Sequence, residues 1–386
     1  MGISLLILAS TESDCQVRII TAAERTTEYF PMLKGKHIAV VANQTSLIGK
    51  THLVDSLNNS GFDIQCVFAP EHGFRGEAEA GEHVSSSRDK KTGIPVISLY
   101  GKHKKPTYED LKGIDILIFD IQDVGARFYT YISTLQYVME ACADAGIPVL
   151  VLDRPNPNGF YVDGPVLDTA FSSFVGMNPI PVIHGLTMAE YALMMKGEGW
   201  IKSIKKCELY YVKVVNWNHK VLYDLPVPPS PNLPNMSSIY LYPSLCFFEG
   251  TDISVGRGTA FPFQVIGKPG LTKGSFKFTP KSITGKAVKP LYENEICSGY
   301  DLREFGTSYM SNAGLLYIYW LIELYNQSDN KDRFFNNFFD TLAGTDKFRK
   351  QIISKTPEEE IRNSWQKDLE DFKIKRRKYL LYEDYE

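Results

Sequence analysis

The 386-residue sequence lacks the features that mark several large classes of protein. Lys and Arg number 42 against 45 Asp and Glu, so there is no positive excess of the kind that binds a nucleic-acid backbone. The six cysteines are scattered without a CxxC pair, which excludes a small disulfide scaffold and a cysteine zinc site. Several of them lie in apolar runs, and we expect those to be buried free thiols. No segment reaches 18 apolar residues, so no membrane span is predicted.

Several catalytic motifs are also missing. There is no GxGxxG after the first predicted strand, no GxSxG and no HExxH, which argues against a nucleotide cofactor, an α/β-hydrolase and a zinc protease. What remains is an ordinary globular composition, with 44% hydrophobic and 23% charged residues. The length predicts about two domains.

The N-terminus contains a short apolar stretch, residues 3–9, followed by polar residues 10–14. This pattern resembles a secretory signal without its basic start. We therefore expect residues 1–20 to be a truncated leader, and the protein to be exported to the periplasm or the extracellular space.

Five short, continuously apolar runs predict strands that are buried on both faces, as in a parallel sheet. A helical pattern at Tyr129–Ala145 separates the last two runs. This alternation predicts an α/β fold with a Rossmann-like, doubly wound parallel sheet. The runs are His37–Ala42, Ile64–Ala69, Ile94–Leu99, Ile114–Ile121 and Ile147–Leu152.

The parallel-sheet pattern stops near residue 265, which predicts an N-terminal domain of residues 21–265 and a smaller α+β C-terminal domain of residues 266–386. Further elements are expected on both sides of this boundary. They are a helix at Thr187–Lys196, strands at Leu209–Val215, Phe276–Phe278 and Ala287–Leu291, a helix at Asn312–Tyr325, and a helix that starts at Thr356–Glu359.

Ligands of such sheets bind at the carboxyl ends of the strands, and each predicted strand here ends in a polar loop. Glu71 follows the second run with Phe68 and Phe74 close by, an apolar setting that can raise a carboxyl pKa enough for general-acid catalysis. Pairing with Arg75 is the structural alternative.

Other polar residues follow the same strand ends or lie in loops marked by glycine and proline. An Asp–Arg pair among them could be structural, or the arginine could bind a substrate carboxylate. These candidates are Asn43, His72, Arg75, Glu77, Asp120, Gln122, Asp123, Arg127, Asp153, Arg154, Asn156, Asn232, Glu249 and Arg257.

Eight strings occur in order along the chain, and together they are specific. The strings are VANQTS (Val41–Ser46), APEHGFRGEAEAGE (Ala69–Glu82), FDIQDVGARFYTY (Phe119–Tyr131), LDRPNPNG (Leu152–Gly159), DGPVLD (Asp163–Asp168), PPSPNLPN (Pro228–Asn235), FEGTDISVGRGT (Phe248–Thr259) and YLLY (Tyr379–Tyr382). From about residue 27 to its end, the chain resembles the peptidoglycan exo-β-N-acetylmuramidase family. The resemblance implies an active site in a cleft between the two domains. It also implies release of N-acetylmuramic acid from the non-reducing end of peptidoglycan fragments, without a metal or an organic cofactor.

The resemblance assigns the role of catalytic acid to Glu71. Its partner stays open among Asp120, Asp123, Asp153 and Glu249, and the substrate's N-acetyl group could take that role instead. One arginine is expected to bind the lactyl carboxylate of muramic acid, and a tyrosine is expected to pack on the sugar. The arginine candidates are Arg75, Arg127, Arg154 and Arg257, and the tyrosine candidates are Tyr129 and Tyr131.

Two other classes of function fit the sequence less well. One is a non-catalytic protein that binds muropeptides or sugars. The other is an esterase or amidase acting on cell-wall fragments, which would need a nucleophile such as Ser230.

Overall fold

The computed structural model describes residues 17–76 and 87–386. Most of the expected leader, and Glu77, lie outside the described residues. The described residues form a seven-stranded sheet in the order β5-β6-β4-β1-β7-β8-β9. The strands are β1 (His37–Ala42), β2 (Leu47–Ile48), β3 (Thr51–His52), β4 (Asp63–Ala69), β5 (Ser87–Arg88), β6 (Pro95–Ser98), β7 (Ile116–Asp120), β8 (Val149–Leu152), β9 (Leu209–Val212), β10 (Val265–Lys268), β11 (Phe276–Phe278) and β12 (Cys297–Asp301).

All neighbouring pairs in this sheet are parallel except β5–β6, which confirms the predicted Rossmann-like α/β core. β10, β12 and β11 form a separate antiparallel sheet, and β2 pairs with β3. The α-helices are α1 (Thr26–Leu33), α2 (Leu53–Asn59), α3 (Tyr131–Ala145), α4 (Met188–Gly197), α5 (Met236–Leu245), α6 (Arg303–Phe305), α7 (Ser311–Ala313), α8 (Tyr319–Gln327), α9 (Phe338–Ala343), α10 (Lys347–Ile353) and α11 (Glu358–Arg376).

The continuous hydrophobicity of the strands has the expected cause, because both faces of the sheet are covered. Along β1, Ala39 and Val41 face one hydrophobic core, whereas Ile38 and Val40 face the other. All five predicted runs are strands, namely β1, β4, β6, β7 and β8. Such a sheet exposes its carboxyl edge as the natural place for a ligand.

Local signals within the N-terminal half are also confirmed. The predicted strand at residues 209–215 is β9, shortened to four residues. Thr187 caps α4, its hydroxyl accepting a hydrogen bond from the Glu190 amide while the Glu190 side chain accepts one from the Thr187 amide. The five cysteines among the described residues are all buried and free, as expected.

Two predicted elements of the C-terminal half are wrong. Ala287–Leu291 is not a strand, since only Ala287 forms a bridge, with Ile283, before turns and Pro290 end any pairing. The single helix expected at Asn312–Tyr325 is interrupted at Gly314, whose φ of +57° ends α7 before α8 begins.

The last long helix, α11, starts at Glu358, directly after Pro357. Its predicted apolar face is buried, through Ile361, Trp365, Leu369 and Phe372. None of the described helices combines the length and the apolar character needed to cross a membrane.

Candidate active site

A pocket lies where the loops after β4 and β7 meet α5 and the segments on either side of it. Glu71 and His72 come from the first loop, and the segment that leads into α3 supplies aromatic and hydroxyl groups. The pocket is lined by Glu71, His72, Phe128, Tyr129, Thr130, Tyr131, Ser230, Asn232, Leu233, Tyr242, Arg257 and Phe263. Glu71 is the one acidic residue of this lining within residues 17–76 and 87–386.

The carboxylate of Glu71 is half-buried and held on one side. The hydroxyl of Thr130 donates a hydrogen bond to Oε2 at 2.8 Å. Oε1 has no hydrogen-bond partner among the described residues. The hydroxyl of Tyr131 lies 3.4 Å from the main-chain oxygen of Glu71 and 3.3 Å from that of Pro229. One carboxylate oxygen is therefore fixed, while the other is available to a ligand.

The chain turns sharply directly after Glu71. His72 has a φ of +71° and Gly73 a φ of +78°, so two successive residues adopt the left-handed region. This conformation is costly for a residue with a bulky side chain and is typical of functional sites. Nε2 of His72 lies 3.2 Å from the Ser230 hydroxyl, which links the turn to the opposite side of the pocket.

Tyr129 and Tyr131 form one wall of the pocket, with ring centroids 4.9 Å apart. The Tyr129 hydroxyl donates to the main-chain oxygen of Pro229 at 3.0 Å. Asn43 donates through Nδ2 to the Tyr131 hydroxyl at 3.0 Å. Burial raises the pKa of both phenols well above the usual value, so both stay protonated at neutral pH.

Two further predicted site residues line the pocket, Arg257 and Asn232. Asn232 is buried and donates through Nδ2 to the main-chain oxygen of Lys286 at 3.0 Å. Arg257 donates through Nε to Oε1 of Glu249 at 2.6 Å. Glu249 thus stands behind Arg257 and does not itself line the pocket.

Asp120 and Arg154 do not reach the pocket lining, because they bind each other. Arg154 donates through Nε to Asp120 Oδ1 at 2.6 Å and through Nη2 to Oδ2 at 2.9 Å. Both side chains are almost fully buried. The pair joins the ends of β7 and β8, which is a structural role.

Arg75 and Arg127 also bind groups away from the pocket lining. Arg75 binds Asp89 through two hydrogen bonds of 2.8 Å and Asp55 through one of 3.0 Å. Arg127 has no exposed surface and donates to four main-chain oxygens at 2.7–2.9 Å. Two of these oxygens belong to residues 342 and 343 in α9, so Arg127 holds the C-terminal half against the segment that lines the pocket.

Three further candidates bind other protein groups and do not line the pocket, namely Gln122, Asn156 and Asp153. Gln122 donates to two main-chain oxygens, and Asn156 donates to the main-chain oxygen of Leu186. Asp153 accepts hydrogen bonds from the hydroxyls of Thr187 and Tyr382 at 2.7 and 2.6 Å. Burial raises the pKa of Asp153 to about 7.

Asp123 is buried close to the pocket but does not line it. Its Oδ2 accepts a hydrogen bond from the Gly125 amide at 2.7 Å, and its Oδ1 has no partner among the described residues. Burial raises the pKa of Asp123 to about 7. Nε2 of His184 lies 4.0 Å from Oδ2 of Asp123, and burial lowers the pKa of the His184 imidazole to about 3.

Sequence reasoning missed several residues of the lining. Thr130 lies within the FYTY string, between two nominated tyrosines, yet nothing in the sequence indicates its contact with Glu71. The aromatic residues Phe128, Tyr242 and Phe263 look like ordinary core residues, and all three are largely buried. No group of three His, Cys, Asp or Glu suited to a metal ion occurs in the described part of the chain.

Comparison with known proteins gives a consistent result. The family models for the N-terminal and C-terminal parts of exo-β-N-acetylmuramidase NamZ match residues 38–237 and 240–382. The peptidoglycan β-N-acetylmuramidase NamZ of Bacillus subtilis (strain 168) is 41% identical over 376 residues, covering 92% of this chain and 89% of that protein.

Two crystal structures of DUF1343 family proteins from Bacteroides fragilis NCTC 9343 share the fold. The first has a TM-score of 0.88 and 46% identity, covering 95% of this chain and 99% of that one. The second has a TM-score of 0.78 and 30% identity, covering 95% of this chain and 100% of that one.

Proposed function

Since the chain belongs to the exo-β-N-acetylmuramidase family, we propose that it is a glycoside hydrolase with Glu71 as its general acid. It releases N-acetylmuramic acid from the non-reducing end of peptidoglycan-derived glycans. The observation that carries this assignment is the position of Glu71, the one acid among the described residues that line the pocket.

Cleavage of a glycosidic bond requires a proton on the leaving oxygen as the bond to the anomeric carbon breaks. Thr130 holds Oε2 of Glu71, so the proton is delivered from Oε1. The strained turn at His72 fixes the main chain beside this carboxyl group. The aromatic side chains of Phe128, Tyr129 and Tyr242 provide apolar surface for the sugar ring.

The group that attacks or stabilises the anomeric carbon is one of two kinds. It is a second carboxylate, or it is the N-acetyl group of the substrate itself. Asp123 and Glu249 are the candidate acids nearest to the pocket lining, but Asp123 is buried and Glu249 is bound to Arg257. A substrate with an N-trifluoroacetyl group separates the two routes, because its weaker carbonyl nucleophile slows only the substrate-assisted one.

The activity is tested with a disaccharide in which N-acetylmuramic acid is β-linked to N-acetylglucosamine. Purified protein is expected to release both free sugars, which mass spectrometry detects. Saturable binding without release would support a sugar-binding protein instead. An esterase or amidase would need a nucleophile such as Ser230, which lies beside His72, and failure of a serine-directed reagent to label the protein would exclude that alternative.

Export to the periplasm or the extracellular space completes the proposal. It is supported by the apolar residues 3–9 and by the location of peptidoglycan outside the cytoplasmic membrane. Fractionation of cells that produce the protein from its native gene tests this. Retention of all the protein in the cytosol would contradict it.

A further inference from the structure

Four arginines lie in the loops at the carboxyl edge of the sheet or face it, and three of them are already engaged. Arg75 is held by two aspartates, Arg154 by Asp120, and Arg127 by four main-chain oxygens. Recruiting any of them to a ligand would leave buried groups without partners, at a high cost in free energy.

Arg257 differs from these three in both position and hydrogen bonding. It lines the same pocket as Glu71, and about 30% of its side chain is exposed. Its Nε is anchored to Glu249, whereas Nη1 and Nη2 have no hydrogen-bond partner among the described residues. The guanidinium therefore has two adjacent nitrogens available as donors at the pocket.

The local backbone holds Arg257 in this position. The glycines on either side, Gly256 and Gly258, have φ values of +76° and +80°. A Cβ at Gly256 would lie 2.7 Å from the main-chain oxygen of Phe261, and one at Gly258 would lie 2.5 Å from that of Lys281. The loop is therefore packed tightly where it presents the arginine.

The ring of Phe263 fixes the guanidinium from another direction. The Cζ atom of Arg257 lies 5.2 Å from the ring centroid, within the range of a cation–π contact. Phe263 itself has a φ of +53°, a strained conformation for a bulky residue. Glu249, Phe263 and the glycine-flanked loop together preorganise Arg257 without using its two terminal nitrogens.

We propose that Arg257 is the specificity-determining residue that binds the lactyl carboxylate of N-acetylmuramic acid. The role rests on the proposed function of this pocket. Two parallel N–H donors match the two oxygens of a carboxylate, and a fork of this kind distinguishes a carboxylate from a neutral group. N-acetylglucosamine has no lactyl group, so Arg257 selects muramic substrates.

The test compares two aryl β-N-acetylmuramides that differ only in the lactyl group, one a free acid and the other its carboxamide. The wild-type protein is expected to prefer the acid, in kcat/KM, by about 10- to 100-fold, as for a hydrogen-bonded charge pair. Arg257→Met is expected to lose this preference while it still hydrolyses the carboxamide. Arg257→Lys keeps the charge but not the fork and is expected to retain part of the preference.

Arg303→Met is the matched control, because Arg303 is bound to Asp301 and does not line the pocket. It should leave the acid-to-amide ratio unchanged. An unchanged ratio in both Arg257 variants, or an equal loss of activity on both substrates, would overturn the role of Arg257. Hydrolysis of neither substrate by the wild-type protein would instead overturn the proposed function itself, and the role of Arg257 with it.

Discussion

The hydroxyl of Thr130 donates a hydrogen bond to Oε2 of Glu71 at 2.8 Å, and so joins the start of α3 to the end of β4. Thr130 is the residue directly before α3, so its side chain is placed by a rigid helix. This contact selects which carboxylate oxygen of Glu71 is held and which is available to a substrate. The geometry of proton delivery therefore depends on a residue with no acid–base chemistry of its own.

Replacing Thr130 by Val should lower kcat for a muramic glycoside by about 10-fold, because the Glu71 carboxyl group loses a hydrogen bond and its fixed orientation. Thr130→Ser keeps the hydroxyl and should retain most of the activity. Steady-state kinetics, with melting temperatures to confirm folding, measures the effect. Equal activity of the Val and Ser variants would contradict a positioning role.

The Asp120–Arg154 pair should behave as a structural ion pair. Asp120→Asn leaves a buried guanidinium without its counter-charge and should lower the free energy of unfolding by about 3–5 kcal/mol. The double variant Asp120→Asn with Arg154→Met should be less destabilised than the sum of the two single changes. Urea unfolding measures these values. A catalytic role for Asp120 would appear as lost kcat in protein that remains folded.

Tyr382 should anchor the C-terminal segment to the sheet. Its hydroxyl donates to Asp153 Oδ2 at 2.6 Å and accepts from the Val214 amide at 2.9 Å. Tyr382→Phe should therefore destabilise the protein by about 1–3 kcal/mol, seen as a lower urea midpoint. Tyr385→Phe is the matched control, since the buried Tyr385 hydroxyl has no partner among the described residues and its removal should cost nothing. Equal effects of the two changes would contradict this account.

Asp123 should make stability fall as pH rises. Its pKa is about 7 in the folded protein against an ordinary value of 3.8, so the unfolded chain releases this proton at lower pH than the folded one. Burial lowers the pKa of His184 to about 3, so below its ordinary value of 6.5 this residue makes stability rise with pH. Both proteins contain His184, so its contribution cancels when Asp123→Asn is compared with the wild type. Between pH 4 and 7, the free energy of unfolding of Asp123→Asn should therefore rise relative to that of the wild type by up to about 1.4 kcal/mol per pH unit.

Urea unfolding at several pH values measures this gain, with Asp329→Asn, a change at an exposed aspartate, as control. A difference between Asp123→Asn and the wild type that is constant with pH would show that Asp123 is ionised in the folded protein at all these values.

The strands could be predicted because a strand that is buried on both faces consists of consecutive apolar residues. Ile38–Ala42 illustrates this, since every residue of the segment is buried and alternate residues enter opposite cores. Gly314 shows the limit, because an isolated glycine in a helical pattern does not reveal whether the helix tolerates it or ends there.

The sequence predicted which loops form the site, but not which side chains of those loops line the pocket. Polar residues after parallel strands indicate the edge where a ligand binds, and Glu71 and Arg257 both reach the pocket. The same pattern applies equally to Asp120 and Arg154, which bind each other in the interior. Which polar groups pair with one another depends on distances across the fold, and one sequence does not contain them.

The most direct test of the catalytic assignment is the effect of Glu71→Gln on two substrates with different leaving groups. One is the β-linked disaccharide of N-acetylmuramic acid and N-acetylglucosamine, whose leaving sugar needs a proton. The other is a dinitrophenyl muramide, whose leaving group does not. Glu71→Gln should lower kcat/KM for the disaccharide by about 10²- to 10⁴-fold and for the aryl substrate far less. Glu359→Gln, at an exposed position of α11, should change neither. The assignment of Glu71 as the general acid would be contradicted if Glu71→Gln hydrolysed the disaccharide as fast as the wild type. Equal losses of kcat/KM on both substrates would also contradict it.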